Sequence, residues 1–352
     1  MLAYGRMPGA RPASSLTDVP GFRVGHATDS RGLTGCTVVL CGDGAVPGID
    51  VRGLAAGLRD TGPCEPAHLV PVVHALLLSG GSAYGLDAAA GVMAFLEQQR
   101  IGFRLRDAIV PIVPAAILFD LSAGSPRARP TPAMARRACR AASSRRVLQG
   151  NVGAGTGASV GKMHGLRRAM KSGLGSASLR SGALVVGALA VVNAWGDVID
   201  PRTGSIVAGL RDRPDGSGLP GTTRELLRAA PPFHPGAGAP APGRAPGRGG
   251  ATPPPSTTLG VVATNARLTK VEATSVAKAA QVACARCIAP VWTRFDGDVV
   301  FCLSRGRVRA DALVVGALAT EAMQEAILRA ALLARGVAGL PAARDLDRRA
   351  AL

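Results

Sequence analysis

The residues with the most direct chemical potential lie at a junction between two kinds of sequence. The stretch PPPSTTLGVVATNA (253–266) closes a Pro-rich segment and opens a run typical of a buried strand. A hydroxyl residue acts as a nucleophile without histidine when it is the first residue of a chain, because its own α-amine, with a pKa of about 8, serves as general base. Thr257 meets that requirement only if the chain is cut before it. The same pattern is also typical of a plain linker followed by a strand.

Two other motifs with catalytic or phosphate-binding chemistry are incomplete. The segment GNVGAGTGASVGK (150–162) has Thr156 and Met163 where a phosphate-binding loop needs glycine and a hydroxyl residue. In GGSAYGL (80–86) Tyr84 replaces the second glycine of the serine-hydrolase motif, which makes Ser82 a weak nucleophile candidate. The glycines of 150–162 are therefore predicted to let the backbone pack close to a functional lysine or to another strand.

Histidine and cysteine spacing indicates neither a metal site nor a disulfide framework. The seven cysteines include one C-x-x-C, Cys284 and Cys287, on a predicted helix without a second pair at zinc-finger spacing. Buried thiols are favoured there over a redox or metal role. The histidines have no ligand spacing and are expected to be structural or exposed: His26, His68, His74, His164 and His234. No cofactor and no metal are expected.

The composition is that of a globular protein with a small-residue core. Apolar residues make up 47% and aromatic residues 3% of the 352 residues, so Ala, Val and Leu are expected to fill the core. Many of the charges behind the net +18 lie in the runs 127–146 and 243–250 and near the C-terminus rather than on one amphipathic face, which favours solvated arginines over nucleic-acid binding. The N-terminus lacks the apolar core of a signal peptide and no apolar run is long enough to span a bilayer, so a cytoplasmic protein without membrane contact is expected.

The order of predicted elements favours a layered α+β fold. Apolar strands and helices are mixed without regular βαβ alternation, and they occur on both sides of a Pro-, Gly- and Arg-rich segment, 211–255. That segment is predicted to be a disordered linker inside a single domain, 1–352.

Nine blocks, in order along the chain, resemble the P1 family of self-cleaving peptidases, peptidase family S58. This family contains the L-aminopeptidase/D-esterase, the β-peptidyl aminopeptidases and the nylon-oligomer hydrolase. The blocks cover most of residues 17–305 and are TDVPGFRVGHATD, GCTVVLC, LLLSGGSAYGLDAAAGVM, VPIVPAAILFDL, GNVGAGTGASVGK, KSGLGSASL, VVGALAVVNAWGDVIDPRTG, TTLGVVATNARLTKVEA and FDGDVVF.

The resemblance implies a fold, a processing event and an activity. The fold would be an αββα sandwich of N-terminal-nucleophile type, and the chain would cut itself between Ser256 and Thr257 into residues 1–256 and 257–352. The activity would be hydrolysis of N-terminal residues from small peptides, amides or esters through an acyl-enzyme on Thr257. A homo-oligomer, a tetramer of α/β heterodimers, is also implied.

The resemblance also implies that four further residues belong to the active site. Lys162 closes the glycine segment, Asn193 stands in the VNA block, and Asp296 and Asp298 flank the glycine of FDGD. Asn193 can donate its amide N–H to a developing oxyanion, a contact worth about 3 kcal/mol in comparable sites. The two aspartates can orient and charge-balance the new α-amine or Lys162, and Lys162 can tune the local field.

This chain departs from the family pattern at two positions. Phe119 stands where the family has a tyrosine, and Ser256 stands where asparagine or glycine commonly precedes the nucleophile. Two alternatives stay open. One is an acyltransferase similar to the ornithine acetyltransferases, and the other is an uncut, inactive homologue that acts as a binding protein.

Overall fold

The computed structural model describes residues 14–229, 255–337 and 339–349. The strands are β1 (Arg23–Asp29), β2 (Thr34–Val51), β3 (Gly57–Arg59), β4 (Val73–Ser79), β5 (Phe103–Arg104), β6 (Ile109–Val110), β7 (Ala115–Ile117), β8 (Ser159–Val160), β9 (Met170–Lys171), β10 (Leu174–Ser181), β11 (Leu184–Asn193), β12 (Asp197–Ile199), β13 (Ile206–Ala208), β14 (Thr257–Ala266), β15 (Ile288–Ala289) and β16 (Val299–Val308). The α-helices are α1 (Ala89–Gln98), α2 (Pro132–Ala141), α3 (Thr222–Arg228), α4 (Lys270–Cys287), α5 (Ala312–Leu332) and α6 (Ala343–Arg349).

The long strand β2 belongs to two sheets. Its first half pairs with β1 and β4, and its second half pairs with β16. The register of β2 against β4 shifts between Leu40 and Ala45. Gly42 and Gly44, which lie in this interval, have φ values of 64° and 139°, a region that favours glycine. One sheet therefore continues through β4, β7 and β3, and the other runs in the order β10, β11, β14, β16, β2.

Alternating side chains of these strands form the four layers. In β2, Val38 and Leu40 pack with α1 and α2, whereas Val39 packs into the core between the two sheets. In β14, Val261 lies in that same core and Val262 packs against α4 and α5. The order is helices, sheet, sheet, helices, and the predicted αββα layering is confirmed.

Small residues let the outer helices lie close to each other and to the sheet. The core between α4, α5 and the sheet is lined largely by alanine, including Ala273, Ala277, Ala280, Ala319 and Ala322. The seven cysteines are buried and free. Burial raises the pKa of Cys287 to about 12, so this thiol packs as a small apolar group.

The predicted start of the linker at Arg211 is wrong. Arg211 is 1% exposed, and its guanidinium donates to the carbonyls of Ala169 (3.3 Å) and Arg167 (2.7 Å). Thr222 begins α3 and donates from N and Oγ1 to the Asp197 carboxylate, at 2.5 and 2.6 Å. Residues 211–229 are held in place by hydrogen bonds to backbone carbonyls and to one buried carboxylate. Their Pro- and Gly-rich composition does not predict these contacts. The remainder of the predicted linker, through residue 254, lies outside the described residues.

Candidate active site

Thr257 and Asn193 face each other at one end of the sandwich. Thr257 is the first residue of β14, and Asn193, the last residue of β11, lies opposite it in the antiparallel ladder. Directly opposed residues project to the same face, and two residues further along each strand Val191 and Leu259 lie in the core between the sheets. Both side chains therefore point into the end of the inter-sheet layer, where Thr257 is 3% and Asn193 0% exposed.

Lys162 is brought to Asn193 by a glycine turn. Gly161 and Lys162 donate their backbone N–H groups to the carbonyls of Gly196 and Trp195, at 2.9 Å each. Gly161 has a φ of 71°, and a Cβ there would lie 2.0 Å from Leu210 N, so this approach needs glycine. Lys162 Nζ then donates to both the carbonyl oxygen and Oδ1 of Asn193, at 2.8 Å each.

The ammonium group of Lys162 is poorly stabilised by its surroundings. Lys162 is 1% exposed, and burial lowers its pKa to about 7, although Asp296, Asp298 and Asp120 favour the charged form. A lysine that titrates near neutral pH can accept or donate a proton under ordinary conditions.

Asp296 and Asp298 are both buried, each 1% exposed. Asp296 accepts hydrogen bonds from Trp195 N (3.1 Å) and from Thr293 N and Oγ1 (3.0 and 2.5 Å). Asp298 accepts from Thr258 N, the residue after Thr257, at 2.5 Å. Burial raises the pKa of both carboxyls, and the charge of Asp296 raises the pKa of Asp298 further. Burial and mutual repulsion therefore make it unfavourable for both carboxyls to be ionised beside Lys162.

A segment of the chain far N-terminal to Thr257 fixes the turn that carries these acids. Arg52 N and Gly53 N donate to the carbonyl of Asp298 at 2.9 and 3.2 Å, and Ala55 N donates to that of Asp296 at 2.9 Å. A Cβ at Gly53 would lie 2.2 Å from Asp298 N, so glycine allows this contact.

The bond before Thr257 is buried and held on both sides. Ser256 is 0% exposed; its N–H donates to Phe295 O at 2.7 Å, and its carbonyl accepts from Gly297 N at 2.8 Å. Thr257 Oγ1 donates to that same carbonyl at 2.5 Å. The hydroxyl therefore lies beside the carbonyl it would attack.

Phe119 reaches the site through its main chain. Its carbonyl accepts a hydrogen bond from Asn193 Nδ2 at 3.0 Å, while Ser159 N donates to Asn193 Oδ1 at 3.0 Å. A small cavity of about 10 Å³ is lined by Lys162, Phe119 and the exposed Ser122, among others. The phenylalanine lines the cavity without adding a polar group.

Asp120 is a buried residue of the site that the sequence interpretation missed. It is 3% exposed, accepts from Thr34 Oγ1 and from Gly81 N at 2.7 Å each, and has a pKa raised to about 6 by burial. An acid directly after the apolar run IVPIVPAAILF is the signal that could have identified it. Lys171, also missed, is 0% exposed and donates to the carbonyls of Gly155 and Ala158 at 3.1 and 2.9 Å.

The remaining sequence motifs lie outside this cluster. Ser82 begins a 3-10 helix, Ser82–Ala88, with a φ of 54° and donates its N–H to Leu118 O. His26 is hydrogen-bonded to Thr37 and has a pKa lowered to about 4 by burial, while His234 lies outside the described residues. Within 14–229, 255–337 and 339–349, no group of three or more His, Cys, Asp or Glu residues is placed to hold a metal ion.

The glycines of 150–162 pack backbone against backbone, in agreement with the prediction. A Cβ at Gly155 would lie 2.5 Å from Leu174 N, and one at Gly157 would lie 2.2 Å from Leu33 O. In the part of the chain that the structure describes, no helix is both long and apolar enough to cross a membrane.

Two solved structures share this fold. The L-aminopeptidase D-Ala-esterase/amidase of Ochrobactrum anthropi superposes with a TM-score of 0.69 at 17% identity, covering 99% of this chain and 96% of that one, and is described as a variant of the Ntn hydrolase fold. A β-aminopeptidase of Burkholderia sp. superposes with a TM-score of 0.68 at 20% identity, covering 98% and 95%. The predicted fold type, that of N-terminal-nucleophile hydrolases, is confirmed.

Similar sequences identify the family. An uncharacterized aminopeptidase of Mycobacterium tuberculosis (strain H37Rv) is 40% identical over 358 residues, covering 95% of this chain and 98% of that protein. The 6-aminohexanoate-oligomer endohydrolase of Kocuria sp. (strain KY2) is 34% identical over 330 residues, covering 89% and 85%. The sequence profile of peptidase family S58 matches residues 14–344. The chain belongs to peptidase family S58 and is a hydrolase.

Proposed function

We propose that the chain is a self-processing amidohydrolase that removes N-terminal residues from small peptides, amides or esters through an acyl-enzyme on Thr257. The observation that carries the proposal is the buried cluster at the start of β14, where Thr257 lies opposite Asn193 and Lys162 binds Asn193. The similar proteins of M. tuberculosis and Kocuria sp. are named for cleaving amide bonds, which supports this substrate class.

The first step of the proposal is self-cleavage. Thr257 Oγ attacks the carbonyl carbon of Ser256, the C–N bond of that peptide breaks, and the hydroxyl proton passes to the Thr257 nitrogen. Water then hydrolyses the resulting ester, which leaves a carboxylate on Ser256 and a free α-amine on Thr257. The 2.5 Å contact between Thr257 Oγ1 and Ser256 O, together with the Gly297 N–H on that oxygen, supports this step.

The second step is turnover of substrate. The new α-amine takes the proton of Oγ as the hydroxyl attacks the substrate carbonyl, and the amine or alcohol of the substrate leaves with that proton. Water then releases the acyl group. Asn193 Nδ2 gives one N–H to Phe119 O, and its second N–H is assigned to the oxyanion. Lys162, Asp296 and Asp298 set the charge around the amine.

The products of self-cleavage stay together in this proposal. The chains 1–256 and 257–352 would form one domain, because β14 of the second chain pairs with β11 of the first and β16 of the second pairs with β2 of the first. The finer expectations, a cytoplasmic location and a homotetramer of such heterodimers, belong to the same proposal and rest on the family resemblance. Native mass spectrometry of the purified protein tests the tetramer.

Denaturing intact-mass analysis tests the central claim. The purified protein is expected as two chains separated at the Ser256–Thr257 bond, and Thr257→Ala as one uncut chain without amidase activity. Thr258→Ala is the matched control, because it removes the neighbouring hydroxyl and keeps the backbone N–H that donates to Asp298, and it is expected to be cut. Two fragments from Thr257→Ala would contradict the assignment.

The same experiment addresses the two alternatives. An uncut and inactive wild-type chain would favour the binding protein. The acyltransferase is not favoured by the family match or by the similar proteins, and product analysis with and without an amine acceptor separates transfer from hydrolysis.

A further inference from the structure

Ser256 occupies a short strand edge beside the nucleophile. Its N–H donates to Phe295 O at 2.7 Å and its carbonyl accepts from Gly297 N at 2.8 Å, which makes a parallel bridge between Ser256 and Asp296. Ser256 is fully buried, whereas Pro255 is exposed. The Phe295 carbonyl and the Gly297 N–H can therefore bind one residue of an extended chain that runs from solvent to Thr257.

The group that Ser256 contributes to self-cleavage is chemically equivalent to the acyl group of a substrate. In the proposed self-cleavage the acyl group of Ser256 becomes an ester on Thr257 Oγ, and in turnover the substrate's acyl group becomes an ester on the same atom. Each ester forms through an oxyanion on the carbonyl oxygen of its own acyl group. The contacts that hold the Ser256 carbonyl and N–H are thus available to substrate once the cut segment leaves.

We infer that Phe295 O and Gly297 N–H form the acyl subsite of the enzyme, and that a substrate binds there as an added strand in place of Ser256. Binding of an extended peptide to a free strand edge is a general recognition mode in which main-chain hydrogen bonds position the ligand. The inference rests on the proposed function and widens its substrate class from single N-terminal residues to peptidyl amides and esters of α-amino acids.

The spacing of the two contacts selects α-amino acids. The donor to Phe295 O and the acceptor from Gly297 N belong to the same residue, with one carbon between its nitrogen and its carbonyl. A β-amino acyl group inserts a second carbon, so its N–H and carbonyl cannot take both positions without moving one of them. Asp296 is already bound to Trp195 N and to Thr293, which leaves the Phe295 carbonyl as the group that receives the substrate nitrogen.

The position of Pro255 extends the subsite outward. Because the residue before Ser256 is exposed, an acyl chain longer than one residue has a path to solvent. Proline also carries no backbone N–H, so the enzyme uses no hydrogen bond from the nitrogen at that position. Peptidyl substrates with a blocked N-terminus are therefore expected to be accepted.

Backbone methylation of a substrate tests the subsite. The wild-type protein is assayed with acetyl-Ala-Ser 4-nitroanilide, with the same compound methylated on the Ser nitrogen, and with the compound methylated on the Ala nitrogen as matched control. Methylation of the Ser nitrogen removes the donor to Phe295 O and leaves that carbonyl without its hydrogen bond, so kcat/KM should fall about tenfold or more. Methylation of the Ala nitrogen, which takes the place of Pro255, should change kcat/KM less than about twofold.

The outcomes separate this inference from the proposed function. Equal kcat/KM for the two methylated compounds, or hydrolysis of Ala 4-nitroanilide without hydrolysis of acetyl-Ala-Ser 4-nitroanilide, overturns the subsite and leaves the amidase intact. Faster hydrolysis of acetyl-Ala-β-Ala 4-nitroanilide than of acetyl-Ala-Ser 4-nitroanilide also overturns the subsite. Failure of every anilide with protein that is cut at Thr257 overturns both.

Discussion

Lys162 Nζ binds the carbonyl oxygen and the side-chain Oδ1 of Asn193 at the same distance, 2.8 Å. Ser159 N also donates to that Oδ1, and Nδ2 donates to Phe119 O, both at 3.0 Å. Two donors on the oxygen and one acceptor at the nitrogen fix the orientation of the amide. Lys162 is therefore one of three partners that determine which way the N–H groups of Asn193 point.

This relationship predicts that Lys162 and Asn193 act as one unit. Asn193→Ala should lower kcat by about 10²- to 10³-fold, the usual loss for an oxyanion donor. Lys162→Met should also lower kcat, because Oδ1 of the amide then keeps only Ser159 N as a donor. The double variant should be little worse than the more damaged single variant, since residues that act together are not additive.

Rates for these variants are measured on the fraction that intact-mass analysis shows to be cut. Lys278→Met, which removes an exposed lysine from α4, is the control and should leave kcat unchanged. Losses that multiply in the double variant would contradict a joint role.

Buried lysines predict an unusual dependence of stability on pH. Burial lowers the pKa of Lys162 and Lys171 to about 7 from 10.5. Above pH 7 the unfolded state therefore binds more protons than the folded state, and the free energy of unfolding should rise with pH. The useful window is about pH 7 to 8, because the seven buried thiols, such as Cys302 with a pKa raised to about 12, lose protons only in the unfolded state and act in the opposite direction as the pH approaches 9.

The measurement is urea unfolding under reducing conditions in the Thr257→Ala background, where one uncut chain keeps unfolding unimolecular. Adding Lys171→Met should lower the stability, because three backbone carbonyls lose their donor, and should also flatten the rise with pH. An unchanged slope would show that Lys171 does not titrate in this window.

Sequence could predict the parts of this protein that depend on local pattern or on whole blocks of residues. The strand Thr257–Ala266 follows from its apolar pattern, and the αββα layering follows from the family blocks. The order in residues 211–229 could not be predicted, because it depends on long-range contacts such as Arg211 with the Ala169 carbonyl. Asp120 was missed for the same reason: its partners, Thr34 and Gly81, are distant in sequence.

Asp120 is predicted to position the site and to support the charge of Lys162. Asp120→Asn keeps an oxygen acceptor for Gly81 N, as the shapes are nearly equal, but removes a negative charge that raises the pKa of Lys162. Any limb of the pH profile of kcat that reports Lys162 should therefore move to lower pH. Asp87→Asn, at an exposed position, is the control. If Asp120→Asn lowers kcat but does not shift its pH profile, Asp120 has only a structural role.

Gly297→Ala is predicted to slow self-cleavage. A Cβ at this position would lie 2.6 Å from Ala55 O, closer than side-chain contacts allow, so the turn must move away from the segment that holds it. That movement displaces the N–H that binds the Ser256 carbonyl and weakens stabilisation of the oxyanion. A time course of denaturing gels after synthesis should show uncut chain persisting longer than in wild type. Gly62→Ala, whose Cβ would meet only His68 at 3.7 Å, should be cut at the wild-type rate. If folded Gly297→Ala is cut equally fast, the oxyanion is stabilised by groups other than this N–H.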